Sequence, residues 1–208
     1  MGESRHNPNQ LLKTIQADEG NRNKGHLKIF FGYAAGVGKT YAMLEAAHME
    51  KQQGIDVVAG YVEPHARPKT AALLNGLEVL PTSEVLYNGM ILNEFDIDMA
   101  LKRKPQLILV DELAHTNAEG CRHAKRYQDI KELLNAGIDV YTTVNVQHIE
   151  SLCDTVASIT EIVVRERIPD SLFDNADQVE LIDIEPQDLI DRLNTENVYR
   201  QTQAKQAV

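Results

Sequence analysis

Lys39 and Thr40 close a glycine-rich turn, and Asp111 and Glu112 close an apolar run. Those four residue types, in those two settings, are the parts of a site that handles phosphate. The turn lies within Leu27–Leu44, LKIFFGYAAGVGKTYAML. Glycines let backbone N–H groups turn toward an anion, and the N-terminus of the helix that follows adds a favourable dipole. Lys39 reaches the β and γ phosphates and the Thr40 hydroxyl ligates Mg²⁺. Gly32, Ala35, Gly36, Val37, Gly38, Lys39 and Thr40 form the expected nucleotide-binding set. Asp111, ending LILVDE, is the expected second Mg²⁺ holder, directly or through water. Glu112 is the candidate base that orients or deprotonates a water.

The strict pattern G-x-x-x-x-G-K-[ST] is missed by one position, because Tyr33 occupies the leading slot and Gly32 precedes it. A chance glycine turn before a helix is the competing reading, and its context argues against it. An apolar strand, Lys28–Phe31, leads in. A helix from about Lys39 to Gln53 leads out, with Met43, Leu44 and Ala47 inward. LILVDE recurs downstream as a continuous apolar run, which suits a central parallel strand buried on both faces. Ligands of open α/β sheets lie at the carboxyl ends of such strands.

The remaining elements alternate. Ile55–Val62 reads as a strand and Lys69–Asn75 as a short helix. Residues 85–92 form a hairpin around Asn88-Gly89. Asp96–Lys102 and Tyr127–Leu134 read as helices, Ile138–Val144 as a strand and His148–Ser158 as a helix. Gln178–Ile184 is a last strand, and a helix runs from Pro186 through Leu193. This alternation predicts an α/β fold, P-loop NTPase-like, with a mostly parallel sheet flanked by helices and an inserted hairpin. Residues 1–26 are a polar segment with a short helix around Leu11, Leu12 and Ile15; residues 27–200 are the nucleotide-binding domain; residues 201–208 are a tail or linker to a downstream domain.

Bulk properties narrow the classes. With 21 Lys plus Arg against 31 Asp plus Glu, the net charge of −10 argues against a general nucleic-acid binder. Cys121 and Cys153 have no framework spacing and read as reduced thiols. No apolar run approaches a membrane span, and MGESRHNPNQ has no apolar signal core.

Other residues could carry chemistry. Glu63, His65 and Arg67 follow the second strand on the ligand side and are candidates for substrate or sensor contacts, or else a solvated loop. If YTTVNVQH neighbours the glycine-rich turn, Thr143 or Asn145 contacts the γ-phosphate or its attacking water, although Thr is also an ordinary strand residue. His115, Cys121 and His123 lack the tandem spacing of a zinc site. Arg122, His123, Lys125 and Arg126 form a basic cluster that either reaches phosphates or opens a solvent-facing helix. Gly120 and the polar composition around it suggest a mobile switch loop containing His115, Arg122 and Arg126.

LKIFFGYAAGVGKTYAMLEAA, VVAGYVEPHAR, the run from LILVDELAHTNAEGCRHAKRYQ to VQHIESL, and IPDSLFDNADQVELIDI together resemble the N-terminal cytoplasmic domain of the KdpD family, the sensor histidine kinases of potassium-responsive two-component systems. The resemblance covers roughly residues 11–200. Its loop pattern, G-x-x-x-G-x-G-K-T, accommodates Gly32, Gly36, Gly38, Lys39 and Thr40. It implies ATP and Mg²⁺ as ligands and a cytoplasmic position in a bacterial inner-membrane protein. It also implies downstream kinase domains, and a response regulator or potassium-transport proteins as partners of the parent. The expected role is an ATP-binding regulatory domain. Two alternatives stand beside it: a working ATPase or protein-hydroxyl phosphotransferase, which the Asp111-Glu112 pair favours, and a nucleotide-independent interaction module, which Tyr33 favours. No N-K-x-D-like guanine reader is present, which favours ATP.

Overall fold

The computed structural model describes residues 24–63, 67–87 and 89–195, with the backbone alone for 193–195. The expected N-terminal helix, His65 and the 201–208 tail lie outside the described residues.

Strand β1 (Leu27–Gly32) runs into the glycine-rich loop and helix α1 (Lys39–Gln52). Next come β2 (Val57–Tyr61), α2 (Pro68–Ala72), β3 (Glu78–Val79) and an antiparallel hairpin of β4 (Ser83–Tyr87) and β5 (Met90–Glu94). Helix α3 (Ile97–Arg103) and strand β6 (Leu107–Val110) follow, then α4 (Arg126–Asn135) and β7 (Asp139–Asn145). The chain ends in α5 (Cys153–Thr160), α6 (Asp170–Asp174), β8 (Gln178–Leu181) and α7 (Pro186–Thr195). The fold is therefore α/β: a parallel six-stranded sheet flanked by helices, ordered β3-β2-β6-β7-β1-β8, with the separate hairpin.

The centre of the sheet is buried on both faces: β6, LILV, is apolar and buried at every position, and its neighbours β2 and β7 are mostly buried. Ile108 and Val110 join Ile29, Ile130, Leu133 and Val140 on one side, where α4 packs. Leu107 and Leu109 join Phe30, Met43, Leu44 and Ala47 on the other, under α1. Each large side chain so buried contributes roughly 2 kcal/mol. Period-two alternation divides the neighbours Ile29 and Phe30 between the two cores.

Strand order places the site. β7 lies between β1 and β6, with Gly32 opposite Asn145 and Leu107 opposite Asp139. The carboxyl ends of β1, β7 and β6 thus stand side by side, and the loops leaving them share one rim.

The structure revises several expectations. The His148–Ser158 helix begins only at Cys153, after two short 3-10 turns. Backbone groups there bond sideways: Glu150 N–H donates to Ile168 O at 3.1 Å and Ile168 N–H to His148 O at 2.8 Å. Strand β3 and helix α6 were not anticipated, being too short to show a period. The 115–126 loop carries backbone contacts of its own. Thr116 and Lys125 form an antiparallel bridge, and Asn117 N–H donates to Ala124 O at 3.1 Å. Among the described residues no helix is long and apolar enough to cross a membrane.

Candidate functional site

A cleft of about 150 Å³ opens at the shared rim. The loop supplies Ala35, Gly36 and Gly38; α1 supplies Lys39 and Thr40; Asp111, Glu112, Thr143 and Asn145 come from the ends of β6 and β7. Nine expected site residues from three separate stretches of sequence are thus brought together.

The loop reaches this shape through two glycines with different tasks. Gly38 adopts φ 109° and ψ 15°, a left-handed conformation that lets α1 start with its amides toward the cleft. Gly32 is held by space instead: a Cβ there would stand 2.8 Å from Val37 Cγ2 and 3.0 Å from the Ile182 carbonyl oxygen. Val37 itself is turned away from the cleft and buried against Leu189 of α7.

Lys39 is 9% exposed and donates to the Ala34 carbonyl at 2.9 Å. Burial lowers its pKa to about 8; the charge of Arg67 pushes the same way, while Asp111 and Glu112 oppose it. An ammonium this dry, with a neutral carbonyl as its hydrogen-bond partner, is suited to an incoming anion.

Asp111 is 1% exposed. The Thr40 hydroxyl donates to Oδ2 at 3.0 Å, the Thr143 hydroxyl donates to Oδ1, and Glu112 N–H donates to Oδ1 at 3.1 Å. Burial still raises the carboxyl pKa, helped by the Glu112 charge and opposed by the hydrogen bonds from Thr143, Thr40 and Glu112 N–H. Glu112 has φ 60°, a conformation uncommon for a residue with a side chain. That turn brings its N–H to Asp111 Oδ1 and within 3.3 Å of Thr143 Oγ1. Among the described residues the buried Asn145 side-chain oxygen has no hydrogen-bond partner, which leaves an acceptor on the rim.

The other expected residues divide. Arg67 and His115 line the cleft. Glu63 is half-buried beyond β2 and is not among the lining residues. Arg122 pairs with Asp98 and Glu132 at 2.5 and 2.6 Å, away from the cleft. Arg126 opens α4, as the basic-cluster reading allowed, but its side chain faces inward and is 0% exposed. It donates to Glu94 at 2.9 Å, stacks 4.1 Å from the Tyr61 ring centroid, and lies 3.4 Å from the Asp111 carbonyl.

Glu94 was not anticipated. It is 5% exposed and also accepts from Ala118 N–H at 2.9 Å, with His115 Nε2 3.2 Å from both its oxygens. Burial pushes its pKa up, but the hydrogen bonds from His115 and Ala118 and the charges of His115 and Arg126 outweigh it, and the net shift is downward. His148 and Glu166 also line the cleft; His148 Nδ1 donates to the Glu166 carbonyl at 2.8 Å, and Glu166 accepts from Thr116 N–H at 2.7 Å. Nothing in the local sequence marks Glu94 or Glu166, whose roles come from distant partners.

The family model described as the osmosensitive K⁺ channel His kinase sensor domain, KdpD, matches residues 23–208. The sensor protein KdpD of Clostridium acetobutylicum is 61% identical over 98% of this chain, and that of Escherichia coli K12 is 54% identical over 98%. A putative sensor protein KdpD of Synechocystis is 50% identical over 89% of the chain. This chain spans 23%, 22% and 50% of those proteins' lengths, respectively. Matched along nearly all of its length by the family model and by relatives at such identity, the chain belongs to the KdpD sensor-domain family.

Proposed function

We propose that this chain is the Mg-ATP-binding regulatory domain of a sensor histidine kinase in potassium two-component signalling, reporting nucleotide occupancy to attached domains. The observation that carries the reading is the meeting of buried Lys39 with the Thr40–Asp111 pair at one cleft on the strand ends. Loop amides and Lys39 bind the phosphates. Thr40 and Asp111 offer two hard oxygens, a donor set that fits Mg²⁺, which when bound supplies neutralisation of phosphate charge. Thr143 holds the Asp111 carboxylate in place. A 150 Å³ cleft suits phosphates rather than a whole nucleotide, since pockets that enclose drug-sized ligands are about 300–1,000 Å³. Occupancy is read through His115, which touches both the cleft and Glu94 at the end of the hairpin. The parent protein, by this reading, sits at the bacterial inner membrane with this domain in the cytosol and passes its signal to a response regulator.

Calorimetry with Mg-ATP and Mg-ADP tests the proposal. ATP binding tighter than ADP binding, lost in Lys39→Ala, is expected; absence of binding by the wild-type chain would overturn it.

A second reading is favoured by Glu112, whose turned backbone sets it on the cleft beside Asp111: hydrolysis of ATP or transfer of its terminal phosphate to a hydroxyl, with Glu112 as base. Steady γ-phosphate release, abolished in Glu112→Gln while ATP binding persists, identifies it.

A further inference from the structure

We infer that Arg192 on α7 is a further nucleotide-binding residue, a guanidinium that meets the sugar-proximal phosphate from the β8 side of the loop. The inference rests on the nucleotide reading above and extends it to a residue far from the loop in sequence.

The first support is position. Arg192 Nη1 lies 3.7 Å from the point where a Cβ on Gly38 would stand, and among the described residues no other atom outside Gly38 and its chain neighbours comes within 4 Å of that point. Gly38 lines the cleft and directly precedes Lys39. The guanidinium therefore stands against the loop where the loop has no side chain of its own.

The helix is fixed there. Leu189, 7% exposed, packs on Val37, 3% exposed, with Ile182 and Ile184 alongside. Ile182 N–H donates to Phe31 O at 2.7 Å, which ties the end of β8 to the start of the loop. Residues three apart share a helix face, so docking Leu189 onto Val37 directs Arg192 at the loop.

The guanidinium is exposed. Asp188 stands four residues before Arg192, the spacing at which helical ion pairs form. Even so, among the described residues no carboxylate pairs with Arg192. In a chain of net charge −10, an exposed arginine that leaves its helical partner for a phosphate-type loop is placed for an anion. The guanidinium fork suits phosphate oxygens in pairs.

Strand order gives the direction. Asp111 and Glu112 follow β6, and Thr143 and Asn145 lie at the end of β7, all to one side of β1; β8 lies on the other, and the α7 that follows it packs through Leu189 on Val37 and on Ile182 and Ile184 just after β8. A triphosphate along the loop, with its terminal phosphate at the carboxylates, places its sugar-proximal phosphate and base on the β8 side. The cleft is too small to hold the remainder, which must pass along α7.

The test is calorimetric titration of the full chain with Mg-ATP and Mg-ADP, for wild type, Arg192→Ala and Arg192→Lys. Both nucleotides carry the sugar-proximal phosphate. Arg192→Ala is therefore expected to weaken both by the same factor, about tenfold or more, with the ATP-to-ADP ratio unchanged and Lys recovering part of the loss. Thermal melting of the nucleotide-free variant should match wild type, since the side chain is exposed. Leu189→Ala, which undocks the helix, should reproduce the loss. Unchanged affinity in Arg192→Ala overturns the inference and leaves the nucleotide reading standing, as does a loss confined to ATP, which would put Arg192 at the γ end. A wild-type chain that binds neither nucleotide overturns both.

Discussion

The hydroxyl of Thr40 donates to Asp111 Oδ2 at 3.0 Å, joining the first turn of α1 to the end of β6 across the intervening strand β7. Two residues 71 positions apart are thereby held at the spacing of neighbouring ligands. Thr143, from β7 itself, holds the other carboxylate oxygen. The carboxylate is dry, oriented and raised in pKa, an arrangement that sacrifices stability and suits the proposed cation.

That sacrifice can be measured. Since the folded pKa of Asp111 is raised above its unfolded value, the charged carboxylate destabilises the fold above the unfolded pKa, and stability returns as pH falls through the folded one. Asp111→Asn is expected to raise Tm by about 2–4 °C, equivalent to ~1 kcal/mol for a chain of this size, and to abolish the Mg²⁺ dependence of nucleotide binding. Scanning calorimetry and titration with and without Mg²⁺ give the two readouts; a lower Tm would show that the hydrogen bonds outweigh the buried charge.

Lys39 gives the site a pH dependence. Its pKa of about 8 in the free protein means that the ammonium is charged below that value and neutral above. A bound phosphate favours the charged form, so binding takes up a proton in this range. Nucleotide affinity should therefore fall as pH rises through about 8. Lys39→Arg, which keeps its charge, should flatten that fall, as read by titrations from pH 6.5 to 9.5.

Arg126 and Glu94 test whether the hairpin braces the site. Removing one member of a buried pair costs about 3–5 kcal/mol, because the other charge is left unpaired. Arg126→Met alone should approach that loss in urea unfolding. Arg126→Met combined with Glu94→Gln should recover a large part of it, giving a coupling of at least about 1 kcal/mol in the double-mutant cycle. Additive losses would mean that the two residues act independently.

Glu112 sits at φ 60°. A side chain in the left-handed region costs about 1–2 kcal/mol relative to glycine. Glu112→Gly should therefore be more stable than Glu112→Ala by about 1 kcal/mol, against the usual entropic preference for alanine. Denaturant midpoints of the two variants decide the matter, and the reverse order would remove backbone strain from the description of the site.

The elements that carry the candidate site were legible in the sequence because their signals are local. A strand, a glycine-rich turn and a helix occupy consecutive residues from Leu27 to Gln52, and an apolar run ending in two acids reads as a buried parallel strand from four residues alone. The alternation of strands and helices fixed the fold class for the same reason, and Gly89 between two apolar runs announced the hairpin. The shifted glycine was visible too, but its reason was not: Gly32 is required by Val37 and by the Ile182 carbonyl, and the latter comes from the far end of the chain.

Tertiary structure decided what depends on long-range placement. That β7 separates β1 from β6 is a property of the whole sheet, and it is what brings Thr143 to Asp111 and Asn145 to the rim. Arg126 lies in a basic run whose composition suggested solvent or phosphate, yet α4 buries its side chain over Tyr61 because Glu94 arrives from the hairpin to neutralise it. The start of α5 was displaced to Cys153 because the Ile168 backbone captures hydrogen bonds of His148 and Glu150 that a helix would have used. Short-range spacing specifies which residues are candidates for the site; only the order of strands and the burial of charge specify which of them face the cleft.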